Sequence, residues 1–187
     1  MNNLNTWYSR TLAYPVESDE PTSQRTLWSQ QLEAATNIQI NIELRNFAAY
    51  QALAAILGHA TVGYPKLTEF FNGEADEEIK HARQFIDYQN MRGGKVALES
   101  ITPVNIQHLY DSENLVQASY EVALQLEKDT YVALLDLHKL CDDDPQYADF
   151  VDEILKEQLG TQQSLNNKIQ QLQRAGSSVT EYIEATK

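Results

Sequence analysis

FFNGEADEEIKHARQFIDYQNMR, residues Phe70–Arg92, reads as one long helix with a carboxylate set into its apolar side. Phe71, Glu78 and Phe85 recur every seven residues, two helical turns apart, so all three share a face. The aromatic rings mark that face as buried, and Glu78 lies between them. His81 stands three residues beyond Glu78, on the same side of the helix, so an imidazole nitrogen and a carboxylate oxygen can reach one cation. Hard oxygen ligands with a single imidazole suit a redox-active first-row metal better than a thiolate-loving zinc site, and the chain has one cysteine, Cys141. A Glu and a His three apart also occur by chance on solvated helices, so the rest of the chain has to decide.

Working outward, the helix has clear ends. Thr61 is the expected N-cap, Pro65 falls in the first turn, where its missing N–H is tolerated, and Gly93-Gly94 is a strong stop. Upstream, about Thr26 to Leu57 is helical, with Ile38, Ile42, Leu44 and Phe47 leading into a small-residue stretch that ends at Gly58. Downstream, residues 93 to about 111 carry glycine, Pro103 and short apolar runs, too long for a tight turn and long enough to cross a bundle. A third helix is expected from near Ser112 until CDDDP breaks it, and a fourth from Pro145 to about Leu172, ending at Arg174-Ala175-Gly176. The expected fold is all-α: a four-helix bundle over residues 26–176 with one long crossover between its second and third helices. Residues 1–25, without period, read as an extended arm from which Trp7, Tyr8 and Tyr14 could dock on a neighbouring surface. Residues 177–187 have the length for a short fifth helix.

Charged and polar residues interrupt the apolar stripes of the other helices too. Glu43 lies three after Ile40, four before Phe47 and seven before Tyr50. Glu127 follows Ala123 and Leu124 and precedes Tyr131 and Leu134, and Gln158 comes four after Ile154 and seven before Leu165. Several carboxylates inside one bundle cost several kcal/mol per ion unless a cation compensates them, and no inward Lys or Arg is evident beside them. A metal cluster resolves that conflict; the alternative is that helix phase drifts and these residues face solvent. Tyr50 is either packing or a phenol bonded to a ligand carboxylate. His59, His108 and His138 read as surface or capping residues.

Fourteen basic against 27 acidic residues give a formal charge of −13 over 187 residues. That balance opposes binding to nucleic acid or anionic membrane and favours cations, and it also serves solubility. The length fits one domain with a real core. A lone cysteine makes no internal disulfide, which favours a reducing compartment. No apolar run approaches the roughly 20 residues of a membrane span. A cytoplasmic location is the simplest expectation, with organellar targeting by the arm left open although Glu17, Asp19 and Glu20 spoil the acid-poor pattern of a transit peptide.

Four stretches carry a resemblance: EAATNIQINIELRNFAAY (33–50), EEIKHARQFIDYQNMRGGKV (77–96), ALQLEKDTYVALLDLHKL (123–140), and DPQYADFVDEILKEQ through LQRAG (144–176). Together they resemble ferritins, closer to the eukaryotic heavy-chain type than to bacterioferritin. The resemblance implies a ferroxidase that oxidises Fe(II) with dioxygen at an intrasubunit di-iron centre and stores the ferric mineral in a homo-oligomeric cage, most simply of twenty-four subunits, without haem. It assigns Glu43, Glu78 and His81 to a first iron, Glu78 and Glu127 to a second, and supporting roles to Tyr50 and Gln158. It places Asp149, Asp152 and Glu153 at a three-fold channel that admits iron; without it, the same residues read equally as N-terminal helix charge favoured by the macrodipole. Two departures stand out. Where ferritin-like di-iron bundles carry a second E-x-x-H, Glu127 is followed three on by Thr130, and Glu157-Gln158 by Gly160 and Thr161, which implies a loose second site and leaves no acid for a third. The cavity-facing row reads Glu77, Lys80, Arg83 rather than uniformly acidic. The alternatives are a non-catalytic iron-binding shell subunit and a DNA-protecting mini-ferritin of the Dps kind.

Overall fold

The first helix begins where a side chain can cap it. In the computed structural model, which describes residues 28–175, Ser29 is extended and its hydroxyl accepts the Leu32 N–H at 3.1 Å, so α1 spans Gln30–Leu57 rather than starting at Thr26. The expected N-terminal arm and fifth helix lie outside the described residues. Among those described there are four long helices, one short 3-10 turn and no strand: α2 is Pro65–Met91, the 3-10 turn Gln107–Asp111, α3 Leu115–His138 and α4 Pro145–Ala175.

Two expected helix starts shift for local reasons. Thr61 does not cap α2: its hydroxyl sits 2.9 Å from His59 Nδ1, and Gly63, at φ +72°, turns the chain once more before Tyr64 and Pro65. Ser112 is extended and closes the 3-10 turn, so α3 begins three residues later, at Leu115. Pro145 opens α4 as expected, with the Asp144 carboxylate accepting the Tyr147 N–H at 3.2 Å. Arg92 pairs with the same Asp144 and lies 4.9 Å over the Trp28 ring, tying the ends of α1, α2 and α4 together. Gly94 has no room for a side chain, because a Cβ there would meet Trp28 Nε1 at 2.6 Å and Gln89 Oε1 at 2.8 Å.

Helix α1 packs on α2 and α3 on α4, with α1 also against α3. The crossover from Arg92 runs extended along α1, held by asparagines one helical turn apart. Asn37 donates to Lys95 O and accepts from Ala97 N, both at 2.9 Å; Asn41 donates to Ala97 O at 2.9 Å and accepts from Glu99 N at 2.8 Å. The register follows from two lengths: four helical residues rise about 6.0 Å, and two extended residues advance about 6.6 Å. A helix period of four therefore matches a strap period of two.

The core divides into two apolar clusters. One gathers Tyr50, Leu53, Leu57, Phe71, Tyr120, Leu165 and Ile169. The other gathers Trp28, Ile40, Phe85, Leu134, Tyr147 and Ile154. On every helix the residues between the clusters are polar and buried: Glu43 and Asn46, Glu78 and His81, Glu127 and Thr130, and Gln158.

Candidate metal centre

This polar belt is where the four inward residues expected from helical phase meet. Glu43 is 0% exposed and Glu78 3%, and Glu127 and Gln158 are likewise buried, so helix phase does not drift. Glu43, Glu78 and His81 each offer a ligand atom within 4.8 Å of the others. Antiparallel α1 and α2 bring this about, because the E-x-x-H pair of α2 comes level with the middle of α1.

Hydrogen bonds use part of this polarity and leave part open. Gln39 donates to Glu43 Oε1 at 2.6 Å, and the Tyr50 hydroxyl donates a short bond to Glu127 Oε1. The second oxygens of Glu43, Glu78 and Glu127, the Gln158 carbonyl oxygen and His81 Nδ1 have no hydrogen-bonding partner among the described residues, although each is buried. A buried polar atom left unpaired costs about 1–3 kcal/mol, and a charged one more. Five of them in one dry belt, contributed by all four helices, form the donor set a cation would complete. Hard carboxylate oxygens with one imidazole and one amide oxygen fit a ferrous ion.

Electrostatics points the same way. Burial pushes the Glu78 carboxyl far above the ordinary carboxylate range, with the charges of Glu43 and Glu127 adding to it. Burial also raises Glu127, against the pull of its bond from Tyr50. The Tyr50 phenol is held protonated by burial first and by Glu127 and Glu78 next. Burial thus raises the proton affinity of these carboxyls, and a metal entering the belt competes with protons for them.

Three neighbours escape a reading by stripes. Glu157, exposed on α4, reaches the buried ring of His81, its Oε2 lying 3.1 Å from Nε2. Glu74, one turn before Glu78, is pushed up to about 7 by burial and by the charge of Glu127, with Lys168 opposing. Lys168 is half-buried, its Nζ 4.6 Å over the Phe70 ring, so a cation does lie near the belt, contrary to expectation. Spacing offered one signal: Glu74 lies four before Glu78, and Lys168 three after buried Leu165. Thr130, standing where a second His would complete a symmetric site, instead accepts from Asn46 Nδ2 at 2.7 Å and donates to Leu126 O.

The remaining candidates lie away from the belt. Asp149, Asp152 and Glu153 are exposed on the first turns of α4, and Asp152 is 3.2 Å from His138 Nε2. His59 and His108 are exposed, and His138 is half-buried. Glu77, Lys80 and Arg83 line an exposed face of α2, with Lys80 paired to Glu77 at 2.7 Å. Among the described residues no helix is long and apolar enough to cross a membrane.

Comparison with known proteins places this arrangement. The family described as Ferritin-like domain matches residues 33–175. Soma ferritin of Lymnaea stagnalis is 40% identical over 154 residues, covering 81% of this chain and 86% of that one. Ferritin, middle subunit, of Aquarana catesbeiana is 38% identical over 147 residues, covering 77% and 81%. Ferritin-1, chloroplastic, of Brassica napus is 37% identical over 170 residues, covering 88% of this chain but 66% of its own length, so the chain spans less than two thirds of that plant relative. With the match running from the first turn of α1 to the last of α4 and the polar belt inside it, the chain belongs to the ferritin family.

Proposed function

We propose that this chain is a ferroxidase and iron-storage subunit, which oxidises Fe(II) with dioxygen in the polar belt and keeps the ferric product inside a cage of its own copies. The observation that carries the reading is the set of five buried, unpartnered donor atoms converging from four helices.

Fe(II) is the substrate here. Glu43, Glu78 and His81 would hold one ion, and Glu78 with Glu127 a second, roughly 3.5–4 Å away as in other two-metal sites. Metal and protons compete for Glu78 and Glu127, whose proton affinity burial raises, so loading strengthens as pH rises. Tyr50 fixes Glu127 through its short bond, and the Gln158 oxygen supplies a weak neutral donor. One electron leaves each ion for dioxygen, and the protein's part is geometry and exclusion of water. Because Thr130 is already engaged with Asn46, the second position lacks an imidazole and releases its ion more readily, which suits a site that passes product onward.

Twenty-four copies, the number the resemblance implies, would enclose the store. Three copies of Asp149, Asp152 and Glu153 about an axis would focus cations toward it. Haem, nucleic acid and membrane have no part in this reading, and the location is cytoplasmic or, as for the relatives named chloroplastic, organellar. Residues 1–25, the bundle of 26–176 and the tail of 177–187 form one subunit. The mixed charge of Glu77, Lys80 and Arg83 favours one competing reading, a shell subunit without turnover, and a mini-ferritin would form a smaller cage.

Replacing Glu127 with Ala tests the reading. Rapid Fe(II)-dependent oxygen uptake should disappear while the assembly elutes at its original size. Unchanged uptake would remove Glu127 from the mechanism. Wild-type protein that retains iron without consuming oxygen would establish the non-catalytic shell, and an assembly of half the expected mass would establish the mini-ferritin.

A further inference from the structure

We infer that Glu157 is a positioning residue, which fixes His81 as the tautomer protonated on Nε2 and so presents the Nδ1 lone pair to the metal centre. The inference rests on the metal-centre reading above and adds to it the device that prepares its one imidazole.

The two nitrogens of His81 meet opposite surroundings. Nε2 lies 3.1 Å from Glu157 Oε2, whereas Nδ1 is buried and without a partner among the described residues, on a residue that offers a ligand atom within 4.8 Å of Glu43 and Glu78. An ionised carboxylate only accepts hydrogen bonds, so the ring proton belongs on Nε2. That tautomer leaves the buried Nδ1 with its lone pair free. A carboxylate behind a ligating imidazole fixes the ring's orientation and raises its basicity.

Glu157 does this from outside the belt. Its side chain is 57% exposed, against 0% for Glu43 and 3% for Glu78, and it meets the ring at Nε2. Successive residues on a helix point about 100° apart. One step of α4 therefore sends Gln158 inward and Glu157 sideways to α2. Lys80, bonded to Glu77 at 2.7 Å, adds a positive charge in the neighbourhood of Glu157.

The test compares Glu157→Ala with Glu157→Gln in the full-length assembly, since an amide oxygen still accepts from Nε2–H but neither carries charge nor ligates a metal well. With ring-15N-labelled histidine, the chain gives four histidine spin systems, and that of His81 is the one lost in His81→Ala. In metal-free wild type and Glu157→Gln, His81 should appear as the Nε2-protonated form; in Glu157→Ala it should become a tautomer mixture. Co(II) titration, read by visible absorption, should show Glu157→Ala binding about 10–100-fold more weakly and Glu157→Gln within about threefold of wild type. If Glu157→Ala keeps both the tautomer and the affinity, the inference falls. If Glu157→Gln is as weak as Glu157→Ala, Glu157 acts through its charge or as a ligand, and the positioning role is overturned. Should wild type bind no Co(II) while His81 shows the tautomer, the metal-centre reading fails instead, because the tautomer is read without metal.

Discussion

Two polar regions meet on helix α1 and are finished in opposite ways. Facing the crossover, Asn37 and Asn41 have both ends of their amides bonded to strap backbone, and Gln89 accepts from Trp28 Nε1 while donating to Glu33 O and Lys95 O. Facing the bundle interior, Glu43 and its companions leave five buried atoms with no partner among the described residues. The first region is complete as the protein folds; the second is complete only with something added. At about 1–3 kcal/mol each, five open atoms represent on the order of 5–15 kcal/mol, the whole margin by which a domain is stable. The raised proton affinity of Glu78 and Glu127 lowers that cost in the metal-free protein, and a cation would remove the rest. Polarity that builds structure closes on itself, and polarity kept for a substrate stays open.

The sharpest way to break this comparison is to neutralise the belt while keeping its shape. Glu78→Gln should lower Fe(II)-dependent oxygen uptake by more than about 100-fold, beyond the loss expected from a residue that only supports a ligand. Its metal-free melting temperature should match or exceed that of wild type, because a carboxyl held against Glu43 and Glu127 is gone. The strap should respond the other way. Asn37→Ala strands Ala97 N–H and leaves Lys95 O to Gln89 alone, and should destabilise the protein by about 1–3 kcal/mol while oxygen uptake per assembled subunit stays unchanged. A stability loss in Glu78→Gln as large as in Asn37→Ala would erase the distinction between the two regions.

The two regions also differ in how far the sequence revealed them. Glu43, Glu78, Glu127 and Gln158 are legible because a charged or amide residue on an apolar stripe breaks a period, and a period is what one chain displays. The four helices and the long crossover are legible for the same reason. Asn37 and Asn41 were not, since their spacing of four matters only once an extended segment with a spacing of two lies beside them. Glu157 gives no such signal, because it is exposed and no helical phase tells that an exposed carboxylate reaches a buried ring on another helix. Thr61 misleads because its hydroxyl has a nearer use, at His59, than the helix N-terminus, and Lys168 is missed because its ammonium rests over rings contributed by other helices.

Glu74 supplies the finest probe, because it borders the belt without being one of its open donors. Its carboxyl is pushed up to about 7 by burial first and the Glu127 charge next, with Lys168 pulling the other way, against an ordinary 4.5. A raised value means that the folded protein holds this proton at pH values where the unfolded chain has lost it. The stability this contributes is therefore full below pH 4.5, is lost as pH climbs to about 7, and changes no further above that. Solvent reaches part of Glu74 and screens the effect, so the loss should be about 1–2 kcal/mol. Glu74→Gln should thus melt like wild type near pH 4.5 and gain on it by pH 7, measured in protein stripped of metal. Glu78 and Glu127 slope in the same direction, so the variant should show a shallower pH dependence and not a flat one. The Asn37→Ala deficit should stay constant across the same range, since no amide of the strap titrates there. If the Glu74→Gln melting curve keeps the wild-type slope, the belt's influence does not reach as far as the turn before Glu78.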